Sequence, residues 1–260
     1  IGWSAAIQRA IDSGATTIYF PKGTYTVATT VHLRGAVRRI IGMRSLIDID
    51  VDALGDRPVF RFDGEQPELI VEHLHTTIGP RDKRNLGTIG WEHAAAGTFV
   101  LQHSLTHSYR ALPGCGPLLA MDFCSGSWLL ENPGQPAWFR SINIEGLGGT
   151  RASAQLMIDG ARAWILGFKT EGGHTCIDAR NGARVELLGG FHYPAQGFAR
   201  HGQVPLFRLQ DASAMLSWSE IAHGPRRGEN RHHTQIQAVR QGRIGELRLA
   251  DLPRDLLEMA

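Results

Sequence analysis

The feature that most constrains this chain is a self-similarity of short period. Laid over itself at an offset of 22 residues, the stretch 161–194 repeats both its apolar pattern and its turn chemistry: Ala161-Arg162-Ala163-Trp164-Ile165-Leu166-Gly167 falls on Ala183-Arg184-Val185-Glu186-Leu187-Leu188-Gly189. The repeating unit is a short apolar strand that ends in a Gly corner, without the spacing of a helix. Units of this size cannot bury a face alone and gain a core only by stacking on copies of themselves. The expected fold is therefore all-β, a solenoid of the parallel β-helix kind.

The frame extends in both directions. Asp211-Ala212-Ser213-Ala214-Met215-Leu216-Ser217-Trp218 matches residues 181–188 at an offset of 30, the excess being absorbed by the polar, Gly-containing segment 195–203. Such insertions map to loops on one face of a solenoid. Backward, Ser141-Ile142-Asn143-Ile144-Glu145-Gly146 falls on Gly167-Phe168-Lys169-Thr170-Glu171-Gly172 at an offset of 26. In this register Glu145 and Glu171 are neighbours on adjacent coils, about 4.8 Å apart along the stack.

Composition narrows the functional classes. The 260 residues suffice for one elongated domain, and the 31 glycines suit a fold with many tight corners. A formal charge of +2 gives no basic excess for nucleic acid, and the densest basic block is Gly224-Pro225-Arg226-Arg227. No apolar run approaches the ~20 residues of a membrane span. Cys115, Cys124 and Cys176 are an odd count without metal-type spacing, so neither a disulfide framework nor a zinc site is encoded. Cys176 suits a buried strand position, and a pairing of Cys115 with Cys124 stays open. The chain starts at Ile1 with neither an initiator Met nor a charged-then-apolar leader, which points to a mature or excised product; the expected location is extracellular or periplasmic.

Residues 4–13 form an amphipathic helix in this reading, with Ser4 as its cap, Ile7, Ala10 and Ile11 on one face, and Gly14 at its end. Across the first coil it covers strand edges that would otherwise be bare. Thr17-Ile18-Tyr19-Phe20, the turn Pro21-Lys22-Gly23 and a strand over 24–33 follow. The run AAIQRAIDSGATTIYFPKGTYTV resembles the N-terminal motif of the pectate-lyase-like superfamily. That resemblance covers roughly residues 4–33 and implies a right-handed parallel β-helix in a carbohydrate-active protein. The acidic, glycine-rich lead-in common ahead of this motif does not precede it here. The whole chain, 1–260, is thus expected to be one β-helix domain, a module beside a catalytic or second β-helix domain of the same polypeptide.

Further strands are expected at 37–41, 46–51, 58–62, 68–75, 99–101, 118–123, 127–130 and 137–144. A long loop is expected over 76–98. The last coils would use 204–209, 213–218, 234–239 and 243–249, and the Leu-rich segment 251–260 would cover the end.

The strongest chemical constellation is Arg140, Asn143 and Glu145 beside Lys169 and Glu171. Residues two apart on a strand share a face, so stacked coils gather these side chains. Two carboxyl groups about 5 to 5.5 Å apart suit a retaining glycosidase, and a Lys or Arg suits a base beside an acidic sugar. The bland alternative is a solvated Lys–Glu ladder worth a few tenths of a kcal/mol. Trp138, Trp164, Phe191, Tyr193 and Trp218 form an aromatic group. In the 22-residue frame His192 and Tyr193 fall at the Thr170 and Glu171 positions, which extends the patch with rings able to stack on pyranose faces; Trp164 and Trp218 equally suit the coil interior. No metal site is expected from the 12 histidines, including His73 with His75, His103 with His107, and His232-His233. Asp48, Asp50 and Asp52 alternate on one expected strand face, the only pattern here that suits Ca²⁺, so no cofactor is expected otherwise.

Three functional classes follow. The first is a module that binds a plant-type polysaccharide, xylan- or pectin-like, through Arg140, Asn143, His192, Tyr193 and Trp218. The second is a polysaccharide lyase or glycoside hydrolase that uses Glu145, Glu171 and Lys169 with Arg140. The third is a spike-like adhesive solenoid. The fold alone does not choose among them.

Overall fold

A computed structural model describes residues 2–78, 88–145, 153–193, 204–221 and 231–252. The chain is a parallel β-helix with two walls. The broad wall begins with Thr17–Phe20 and Thr24–Val27, both paired to Arg39–Ile49. It continues through Glu68–Ile78, Thr98–Gln102 with Leu105–Thr106, Leu118–Ser125, Pro136–Ile144, Arg162–Glu171, Arg184–Tyr193 and Ser213–Glu220. The narrow wall stacks Val31–Leu33, Phe60–Phe62, Trp91–His93, Tyr109–Ala111, Trp128–Leu130, Ala154–Asp159, Thr175–Arg180, Phe207–Gln210 and Thr234–Arg240, and ends on Arg243–Arg248.

The ladders settle the register. Trp164 pairs with Glu186 and Thr170 with His192, the 22-residue offset, while Ile144 pairs with Thr170, the 26-residue one. The offset of 30 holds at the corner, where Arg180 faces Gln210, but Asp211-Ala212 turns in one residue fewer than Asn181-Gly182-Ala183, and Leu187 therefore pairs with Leu216. The strand register expected for 213–218 is thus one residue out as far as Leu216 and two out at Trp218, which pairs with Gly190.

The long strands of the broad wall bend once each as far as Arg184–Tyr193, and the bends stack, whereas Ser213–Glu220 alternates without a break. Arg44, His73, His103, Asp122 and Ser141 have φ between 50° and 54°, and Gly167 and Gly189 continue the line at 79° and 77°. One left-handed residue turns the strand and shifts its alternation by a place. Trp138 and Arg140 point outward before the bend of their strand, and Asn143 and Glu145 after it. The broad wall consequently has two outward facets. The expected pair of strands at 37–41 and 46–51 is one bent strand, Arg39–Ile49, and His73 is itself the bend residue of its strand, with His75 beyond it.

Stacking puts like on like in the interior. Val31, Phe60, Trp91, Tyr109, Trp128, Leu156, Ile177, Phe207 and Ile236 form one continuous column of the narrow wall. Within it Phe60 stacks on Trp91 and Tyr109 on Trp128, each pair with ring centroids 4.5 Å apart. Such pairs add about 0.5–1.5 kcal/mol beyond burial.

The N-terminal helix, Ser4–Asp12, lies over the first coil with Ile7 and Ile11 buried, while Ala10 is exposed. Gly14 takes the expected left-handed ending (φ 85°). Ser4, expected to cap the helix, instead accepts the backbone N–H groups of Ala28 and Thr29 at 3.0 and 3.1 Å. Gln8 accepts the N–H of His32 at 2.8 Å and donates to its carbonyl at 3.2 Å, so its amide behaves as a strand partner for a bare edge.

Several expectations are revised. The loop expected over 76–98 contains Trp91–His93, a narrow-wall strand, and residues 79–87 lie outside the described ones. Arg243–Arg248 pairs antiparallel with Thr234–Arg240 and so folds back instead of opening a new coil. Asp48, Asp50 and Asp52 share no strand face: the strand stops at Ile49, Asp50 accepts from Ala53 N at 3.1 Å as the cap of the helix Val51–Leu54, and Asp52 belongs to that helix. All three cysteines are free, with Cys115 and Cys176 buried. Segments 195–203, 224–227 and 253–260 lie outside the described residues. Among the described residues no helix is long and apolar enough to cross a membrane.

Candidate functional site

The facet beyond the bend brings Asn143, Glu145, Lys169, Glu171 and Tyr193 together. Asn143 pairs with Lys169 and Lys169 with Phe191 in one outward row; Glu171 pairs with Tyr193 in the next. The Lys169 ammonium bridges Glu145 and Glu171, and the Tyr193 hydroxyl donates to Glu171. Asn143 Nδ2 donates to Glu145 Oε1 at 2.8 Å. The ammonium also sits 5.0 Å from the centroid of the Tyr193 ring, within cation–π range.

These contacts fix the protonation states. Partial burial works against a charged Lys169, but the hydrogen bonds to Glu145 and Glu171 outweigh it and raise its pKa above the ordinary lysine value. Hydrogen bonds from Lys169 and Tyr193 hold Glu171 below the usual carboxylate range. Donation to Glu171 raises the Tyr193 phenol in turn. Lys169 is thus held as a cation and Glu171 as an anion. A general base for β-elimination needs a deprotonated amine and a general acid needs a carboxyl with a raised pKa. Neither condition is met by Lys169 or Glu171 in this arrangement, which presents fixed charges and hydrogen-bonding groups on a stiff ladder.

The facet before the bend is apolar and aromatic. One outward row runs Leu119, Trp138, Trp164, Glu186, Met215, and the next Met121, Arg140, Leu166, Leu188. Trp138 and Trp164 stack with centroids 5.5 Å apart and remain 42% and 38% exposed, well outside the interior. Leu166, Leu188 and Met215 are exposed beside them.

Three residues named from sequence lie apart from the polar patch. Arg140 points outward, but on the aromatic facet, because the Ser141 bend separates it from Asn143. His192 points inward: it continues the Ile144–Thr170 column, is buried, and faces Glu220. Trp218 also points inward, packing edge-on against Phe207 at 5.0 Å. It fills room left by Gly190, where an added Cβ would lie 2.9 Å from that of Trp218. Glu220 and His232, which join His192 inside the coil, carried no sequence signal, since their meeting depends on the shortened register after Gly190.

No family model and no curated protein matches the chain. The site therefore stands on its own residues and geometry.

Proposed function

We propose that this protein is a carbohydrate-binding β-helix module of the pectate-lyase-like kind, whose broad wall receives a linear plant-type polysaccharide, xylan- or pectin-like. One observation carries the reading: an exposed tryptophan pair, Trp138 and Trp164, lies on the two strands that supply Asn143, Lys169 and Glu171 to the patch completed by Glu145 and Tyr193. Rings supply apolar surface for sugar faces, and the fixed polar groups select hydroxyls and carboxylates. Stiff strands hold both without loss of loop entropy on binding. The lyase or hydrolase reading is less favoured, because the Lys169 bridge ties up the charges that acid–base chemistry would need. The proposal includes secretion and service to a larger carbohydrate-active protein.

The test is affinity electrophoresis of the domain in gels of xylan, pectin, alginate and β-glucan, with a parallel assay for reducing ends and unsaturated uronates. Retardation by xylan or pectin without product is the expected result, and Trp164→Ala should weaken it at least tenfold. Product release that is lost in Glu171→Ala would instead establish catalysis, and no retardation by any glycan would overturn binding. A second reading rests on the exposed Leu166, Leu188 and Met215: these suit contact between copies, as in a spike-like solenoid, and a trimer in light scattering would favour it.

A further inference from the structure

The interior of the last coils holds a cluster that neither facet uses. His192, Glu220 and His232 come from three stretches of chain, and one donor atom of each lies within 4.8 Å of the others. All three side chains are buried. The buried column that reaches this point runs through Thr106, Ser125, Ile144 and Thr170, which offer hydroxyls but no ionisable group; His192 and Glu220 continue it with ionisable ones.

The hydrogen bonds define which atoms face the centre. His192 Nε2 lies 2.7 Å from the carbonyl of Gly172, which can only accept, so Nε2 carries a proton. Its Nδ1 faces Glu220 Oε1 at 3.1 Å. His232 Nδ1 lies 2.8 Å from the carbonyl of Val204 and is likewise a donor, which leaves Nε2 as the atom His232 offers as a ligand. Glu220 is held as a carboxylate acceptor by Gln235 Nε2 on Oε2 at 2.7 Å and by the backbone N–H of His232 on Oε1 at 3.2 Å. Two imidazole nitrogens and a carboxylate oxygen thus converge, each oriented from behind by a protein hydrogen bond. Ligating histidines characteristically donate their other N–H to a carbonyl or carboxylate, which fixes the tautomer and raises ligand basicity.

We propose that His192, Glu220 and His232 form a buried binding site for a divalent transition metal of the zinc class. Two nitrogens and one carboxylate oxygen are borderline donors that favour zinc over calcium or magnesium, which take mostly oxygen. Tetrahedral zinc at about 2.1 Å from each ligand places ligand atoms roughly 3.4 Å apart, close to the His192–Glu220 separation. Burial keeps a polymer substrate away from this site, so its role is structural. The ion ties Arg184–Tyr193 to Ser213–Glu220 and to the segment before Thr234–Arg240, clamping the coils at the end of the solenoid opposite the N-terminal helix.

The experiment uses the full chain, stripped with a chelator and dialysed, then titrated with zinc(II), with magnesium(II) and calcium(II) in parallel. Expected are one zinc per chain by elemental analysis and a rise in Tm of about 5–10 °C at zinc a hundredfold above Kd. Cobalt(II) should give the intense visible absorption of a four-coordinate site, a readout that needs no variant. Glu220→Gln, which keeps the shape and removes the charge, should weaken zinc binding by about a hundredfold. His73→Ala, which removes an exposed histidine stacked on His103, should bind as the parent does. Three results would overturn the proposal: no zinc-dependent stabilisation of the parent, equal stabilisation of Glu220→Gln, or loss of zinc binding in His73→Ala.

Discussion

The first coils and the last coils share one backbone path but fill it differently. Near the N-terminus the interior is a pile of rings, Phe60 on Trp91 and Tyr109 on Trp128, closed by a helix whose Ser4 and Gln8 satisfy exposed strand groups. Near the C-terminus the interior becomes His192, Glu220, His232 and Gln235, and the stack ends on the largely exposed strand Arg243–Arg248. A ring ladder stabilises itself, because every coil adds apolar area and dispersion contacts to the last. A buried polar ladder holds only when each donor and acceptor is matched, and it fails sharply when one is removed. The two ends therefore depend on different physics, which mutation and pH can separate.

The largest expected effect is at the ring ladder. Trp128→Ala should cost about 3–5 kcal/mol in urea unfolding, since Trp128 is fully buried between Tyr109, Phe123 and Phe139. A loss below 1 kcal/mol would show that the first coils do not rest on their aromatic column. Acid probes the few ionisable groups buried in the same half. Burial lowers His93 and His107 from 6.5 to about 4, which corresponds to about 3 kcal/mol each. The unfolded chain takes up these protons as pH falls past 6.5 while the folded one does not. Stability should thus be full above 6.5, decline between 6.5 and about 4, and level off below. His93→Phe, which preserves a ring against Phe62, should flatten that decline; an unchanged pH profile would remove His93 as its source.

Ser4→Ala leaves the N–H groups of Ala28 and Thr29 without their acceptor and should cost about 2 kcal/mol. Hydrogen exchange should speed up at Ala28 and Thr29 before it does at Leu187; uniform acceleration would mean that the helix is not a local lid. The smallest stability effect belongs to the outer facet: Trp164→Ala, which removes a half-exposed ring stacked on Trp138, should cost about 1 kcal/mol. The contrast with Trp128 measures what a tryptophan contributes inside the coil and what it contributes outside.

The repeat was legible where coils match in length. Offsets of 22 and 26 set Glu145, Lys169, Glu171 and Tyr193 side by side, and the ladders have that register. Legibility failed where a single residue changes parity. The shorter corner at Asp211-Ala212 and the irregularity between Leu187 and Gly190 move Trp218 inward and bring Glu220 opposite His192. The bend at Ser141 puts Arg140 on a different facet from Asn143, and no turn signature announces it, since Ser, His, Asp and Arg all occupy that line of bends.

By itself the sequence determined the solenoid, its capping helix and the pairing of its best-matched coils, because these follow from local periodicity and from apolar faces that have nowhere else to go. The tertiary structure alone decided which side of the wall each polar residue faces. A left-handed backbone at Arg44, His73, His103, Asp122 and Ser141 costs roughly 1–2 kcal/mol per residue in isolation. Only the hydrogen-bonded coils above and below offset that cost, so the bends, and the facets they create, exist only in the assembled stack.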